Sequence, residues 1–99
     1  MSNYSRGANF ERRCKAYLVQ QGWMVFRSAG SHSPADLIAM RGGEFILIQA
    51  KINGKLSFKE RAYLWLVAEE NNCQAMLAYR QGRKLILEEI KEGNKGREI

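Results

Sequence analysis

Two apolar runs flanking Arg41-Gly42-Gly43 constrain this chain more than any other stretch. Asp36-Leu37-Ile38-Ala39-Met40 precedes the glycines, and Glu44 to Lys51 follows them. A Gly-Gly pair accepts the positive φ of a two-residue hairpin turn, so the runs are expected to be antiparallel neighbours. Phe45-Ile46-Leu47-Ile48 is apolar without alternation, the pattern of a central strand covered on both faces. With 99 residues there is room for one core, so residues 1–99 are read as a single domain.

The rest of the chain supplies the covering layers. From about Ala8 to Gln21, residues Phe10, Cys14, Tyr17, Leu18 and Gln21 recur at helical spacing and place four apolar groups on one face. Gly22 follows as the residue that ends the helix in a left-handed conformation. Trp23-Met24-Val25-Phe26 reads as a short strand, and Ser28 to Pro34 as a loop. After an Asn53-Gly54 turn, Ser57 and Glu60 form a capping box that opens a helix to about Asn71. Tyr63, Leu64, Leu66 and Val67, with Trp65 beside them, give that helix a broad apolar face, for which the core is the expected destination. Ala75 to Tyr79 and Leu85 to Leu87 form a second hairpin around Gln81-Gly82-Arg83, and the charged tail from about Glu88 is expected to fray. The order α-β-β-β-α-β-β implies a mixed α/β fold, a five-stranded sheet flanked by helices.

Composition excludes several classes. The longest unbroken apolar run, Ala62 to Ala68, is far short of a membrane span, and Met1 to Arg6 hold no apolar signal region. Cys14 and Cys73 are isolated, as expected of reduced thiols in a cytoplasmic protein. With His32 they are too few for a structural zinc site. The net charge is +6, and residues 1–51 carry seven basic and three acidic groups. A sequence pI near 9.6 is the footprint of a polyanion binder, which makes nucleic acid the first partner to consider.

Polar residues at the ends of the hairpin strands point to chemistry. Asp36 opens the first strand, and Gln49 and Lys51 lie two apart at the end of the second, so they project from one face. The antiparallel turn should bring all three together at one sheet edge. A carboxylate with further oxygen donors suits a hard divalent cation that activates water, and a lysine can position that water or meet a phosphate. The plainer alternative is an Asp36–Lys51 salt bridge with Gln49 as its solvated neighbour.

Asp36, followed after the hairpin by Gln49-Ala50-Lys51, resembles the PD-(D/E)XK nuclease motif. Arg6-Gly7-Ala8, Glu11-Arg12, Gly22-Trp23, Arg27-Ser28-Ala29-Gly30-Ser31 and Asp36-Leu37-Ile38-Ala39 resemble, in order and spacing, the archaeal-type Holliday junction resolvases. The likeness is close over residues 5–52 and holds in element order beyond. It implies a restriction-endonuclease-like fold and a Mg²⁺-dependent endonuclease, with Mn²⁺ as substitute, that cuts four-way junctions as a homodimer in recombination and repair. Localisation would be the cytoplasm, or the host cytoplasm for a phage-encoded chain, with no membrane role. By resemblance Glu11, Asp36, Gln49 and Lys51 are the catalytic set, and Glu11, Asp36, Gln49 and the Ala50 carbonyl the metal ligands. Arg6, Arg12, Arg27 and Ser31 would contact DNA. The bland roles are a Glu11–Lys15 pair at i+4, a solvated Arg27 and a flexible turn around Ser31. Gln49 departs from the family's usual acid and removes one negative charge. Two further readings share the same residues: a virus-type replication-repair nuclease nicking flaps or splayed DNA, and a DNA-binding module weakened in cleavage.

Overall fold

The computed structural model describes residues 3–28 and 33–91, the first three as backbone only. Its elements are α1 (Asn3–Gln20), β1 (Met24–Arg27), β2 (Leu37–Arg41), β3 (Glu44–Ala50), α2 (Phe58–Glu70), β4 (Gln74–Gln81) and β5 (Lys84–Ile90). The strands lie side by side in chain order, with β3 at the centre. All neighbours are antiparallel except β3 and β4, which α2 joins as a parallel crossover. This is the expected α-β-β-β-α-β-β order and mixed five-stranded sheet.

Local chemistry accounts for the boundaries. α1 stops where Gly22 takes φ 94°. The Gly22 N–H then donates to the Val19 carbonyl and the Trp23 N–H to that of Leu18, which satisfies two of the last free carbonyls. Gly42 and Gly43, at φ 56° and 85°, make the two-residue turn that pairs Arg41 with Glu44. At the head of α2 the Glu60 N–H donates to Ser57 Oγ, and the Ser57 N–H donates to Glu60 Oε1, both at 3.1 Å.

Alternation along β3 sorts the core into two layers. Ile46 and Ile48 face α1, where they pack with Phe10, Cys14, Leu18, Val25, Leu37, Ala39 and Ala78. Leu47 faces α2 and joins Leu64, Ala68, Ala75, Leu77 and Ile90. Burial pushes the Cys14 thiol up to about 12, so it is an inert packing group.

Several expectations are corrected. α1 begins at Asn3, five residues before Ala8. Tyr17 is exposed, as are Tyr63 and Leu66 on α2, because Leu64 and Ala68 alone line the buried stripe of that helix. Trp65 packs partly against the core and donates its indole N–H to the Lys91 carbonyl. Phe45 stays 47% exposed, since it sits at the start of β3, paired with Met40 of β2 and ahead of Ile46, the first residue paired with β4, on which α2 packs. Instead of fraying at Glu88, β5 continues to Ile90, which is buried opposite Ala75.

Candidate active site

The Asp36 backbone continues the ladder just before β2, its N–H donating to the Ile48 carbonyl at 2.9 Å. That geometry aims its side chain at the exit of β3, where Oδ2 accepts the Ala50 N–H at 2.8 Å. Gln49 and Lys51 follow Leu47 in alternation and so share its side of the sheet. Lys51 is held in place by its own N–H, which donates to the Ala78 carbonyl of β4, and by the turn in which Gly54 donates back to its carbonyl at 2.7 Å. The three residues therefore meet at the end of the central strand, within the sheet and not at a lateral edge.

The Asp36–Lys51 salt bridge is not formed. Asp36 binds the Ala50 amide, and Lys51 Nζ pairs with Glu60 Oε2 of α2 at 3.2 Å. Desolvation pushes the Asp36 carboxyl above the ordinary carboxylate range. The Ala50 N–H and the Lys51 charge work against that rise, while the Glu11 and Glu60 charges add to it. A half-buried carboxylate in this condition gains from a cation. Hydrogen bonding to the Ser57 N–H, with the Lys51 contact adding to it, holds Glu60 below its usual value.

Glu11 projects from α1 and binds Arg27 of β1, Nη2 to Oε1 at 3.0 Å. Arg27, and not Lys15, is the partner of Glu11, and Arg27 is an exposed residue at the end of β1 that carries this ion pair. Arg12 donates to Asn9 Oδ1 and, with Lys15 and Arg27, borders one basic hollow. Arg6 opens onto another, a cavity of about 230 Å³ that it shares with Asn9, Phe10, Arg13, Ile52 and Arg80. Ser31 lies outside the described residues.

Sequence reasoning missed Arg13, Arg80 and Glu60. Arg80 comes from β4, and only the parallel β3–β4 pairing carries it to the side of α1. Glu60 was read solely as a helix cap. Its second oxygen reaches Lys51 because the intervening turn folds the chain back, a contact that helical spacing does not announce.

Among the described residues no three His, Cys, Asp or Glu side chains gather into a metal-binding group. The donors at the exit of β3 are accordingly mixed: the Asp36 carboxylate, the Gln49 amide oxygen and backbone carbonyls. All are oxygens, which suits a hard cation and not zinc.

A family model described as archaeal Holliday junction resolvase (Hjc) matches residues 2–96. The curated crossover junction endodeoxyribonuclease Hjc of Methanocaldococcus jannaschii is 44% identical over 55 residues, 56% of this chain and 41% of that protein. The chain thus spans less than half of that relative's length. The structure of Archaeoglobus fulgidus Hjc, described as a Holliday junction resolvase from an archaeal hyperthermophile, superposes with a TM-score of 0.76 at 24% identity. It covers 87% of this chain and 74% of its own, a likeness of fold.

Proposed function

The chain belongs to the archaeal Holliday junction resolvase family, and from that premise we propose that it is a divalent-metal-dependent endonuclease cutting four-way DNA junctions, as a homodimer, in recombination and repair. The observation that supports this most is the Asp36 carboxylate, raised by burial and anchored on the Ala50 N–H at the exit of the central strand. Residues 1–99 act as one nuclease domain, and the cytoplasm is the compartment that fits a DNA-processing enzyme. No described helix is long and apolar enough to cross a membrane.

Asp36, the Gln49 amide oxygen and the Ala50 carbonyl would hold Mg²⁺, with Glu11 reaching it directly or through water; Mn²⁺ would substitute. When bound, such an ion would activate water and offset the negative charge that builds on the phosphoryl oxygens. The protein supplies the rest. The Ala50 N–H fixes the Asp36 carboxylate, and the β4 carbonyl of Ala78 fixes the Lys51 backbone, so the acid and the root of the lysine side chain keep a constant offset. Lys51 then orients the attacking water or meets the scissile phosphate. Arg27 holds Glu11 at the rim and is itself a phosphate contact, with Arg12 beside it. Arg6, with Arg13 and Arg80 around the second hollow, meets the backbone further along the duplex. By the family likeness Ser31, outside the described residues, would also contact DNA. Phosphate contacts of this kind read the shape of a junction and not its base sequence, and they weaken as salt rises.

Two symmetric incisions require two sites related by a two-fold axis. Met24 and Phe26 of β1, Ile38 of β2 and Phe45 at the start of β3, exposed on one face of the sheet, supply an apolar surface for a second copy. The test is a labelled four-way junction incubated with protein and Mg²⁺ or Mn²⁺ beside an Asp36→Asn control. Paired nicks from the unaltered protein alone are expected; no nicks, or equal cleavage by the control, refutes the reading.

A further inference from the structure

The exit of β3 is short of one negative charge. Position 49 is a glutamine, and the Glu11 carboxylate is already matched by Arg27 at 3.0 Å. Asp36 alone would be balanced by the Lys51 ammonium, leaving a centre with no net attraction for a divalent cation. The missing charge stands on another element. Glu60 is the third residue of α2, and its two oxygens have different duties: Oε1 accepts the Ser57 N–H of the helix cap, and Oε2 meets Lys51 Nζ at 3.2 Å. The carboxylate is therefore fixed at both ends beside the lysine.

Capping does not explain the charge. A capping box accepts Gln as well as Glu at this position, since only an acceptor oxygen is required. Nor does stability explain it. The Lys51 and Glu60 side chains are 32% and 43% exposed, and an ion pair so open to water contributes little to folding. What the charge does reach is the site, because Glu60 is among the groups acting on Asp36.

Resting on the nuclease reading above, we infer that Glu60 is a positioning residue of the metal site: its carboxylate holds the Lys51 ammonium and contributes the negative charge that Gln49 lacks. Motif position and helix cap are interchangeable sources of that charge, so one should replace the other.

The test is Mn²⁺ binding to the full chain by calorimetry, with thermal unfolding of each variant as a control of fold. Glu60→Gln keeps the cap and loses the charge; Mn²⁺ affinity should fall roughly tenfold, the scale typical of losing a partner of a ligand shell. Adding Gln49→Glu to that variant should restore the affinity of the unaltered chain. Ser57→Ala breaks the cap and keeps the charge; it should lower the melting temperature and leave Mn²⁺ binding as it was. Unchanged affinity in Glu60→Gln, failure of Gln49→Glu to rescue it, or an equal loss in Ser57→Ala would each overturn the inference. If Glu60→Gln does not fold, the unaltered chain decides. A nuclear Overhauser contact between the Lys51 and Glu60 side-chain methylenes is expected in its NMR spectrum, and the absence of that contact overturns the assignment. An unaltered chain that binds no Mn²⁺ removes the nuclease reading as well, whereas normal binding with an indifferent Glu60 removes this inference alone.

Discussion

Beneath α1 the sheet closes over Phe10, Cys14 and Leu18, whose exposures are 4%, 0% and 2%, while on its other face Met24, Phe26, Ile38 and Phe45 remain between 38% and 58% exposed. The difference comes from helix length and placement. α1 has 18 residues and lies across β1, β2 and β3; α2 has 13 and covers β3 and β4. One face carries a finished core, and the other is finished only where α2 sits. The candidate site lies on the seam, since Asp36 feels charges both from Glu11 on α1 and from Glu60 on α2. A site placed there can take groups from both helices while its frame, the β2–β3 hairpin, is secured by the closed face.

Substitutions on the two faces should therefore differ in kind. The largest effect is expected for Leu18→Ala under α1, a loss of about 2–5 kcal/mol in urea unfolding, because nothing can move into the space left by the missing methyls. A loss well below that range would mean the α1 face is less complete than its burial suggests. Ser57→Ala, at the edge of the half-covered face, should cost about 1 kcal/mol through the broken cap of α2. Phe26→Ser on the open half should alter the unfolding of dilute protein by less than about 0.5 kcal/mol, the range of surface changes. It should nevertheless convert a dimer to a monomer in sedimentation; a large stability loss without a change in mass would show that this half-face is covered from within the chain.

The smallest shift is expected at the seam and has the opposite sign. Burial raises the Asp36 carboxyl above its unfolded value. Its contribution to stability is therefore complete below the ordinary carboxylate range and is lost as pH rises through the folded value. Asparagine retains an oxygen for the Ala50 N–H and cannot ionise. Asp36→Asn should melt slightly higher than the unaltered protein at pH 7 without metal, with the gap closing as pH falls through the carboxylate range. A lower melting point at pH 7 would show that the carboxylate is not strained in the fold.

The same contrast explains what could be read from the amino-acid sequence. Features set by neighbours in the chain were legible: the Gly42-Gly43 turn, the Gly22 helix end, the Ser57–Glu60 cap, and through them the meeting of Asp36 with the end of β3. Features set by how much one element covers another were not. Phe45, Tyr63 and Leu66 are as apolar as their buried neighbours, and only the footprint of α2 decides that they face outward. Glu88 and Glu89 looked like a solvated tail because the length of β4, which gives them backbone partners, lies elsewhere in the chain. The Lys51–Glu60 and Arg27–Glu11 pairs join separate elements, so spacing rules for a single helix or strand could not find them.

The hydrogen bond from the Ala50 N–H to Asp36 has a practical consequence. A backbone proton held by an ionised carboxylate is more deshielded than one held by a peptide carbonyl, because the bond is charge-assisted and shorter. Its resonance moves when the carboxylate is neutralised, by a proton or by a bound cation. The central strand thus carries its own indicator: following one amide signal through a titration reports how Asp36 is occupied, with no label attached and no residue replaced.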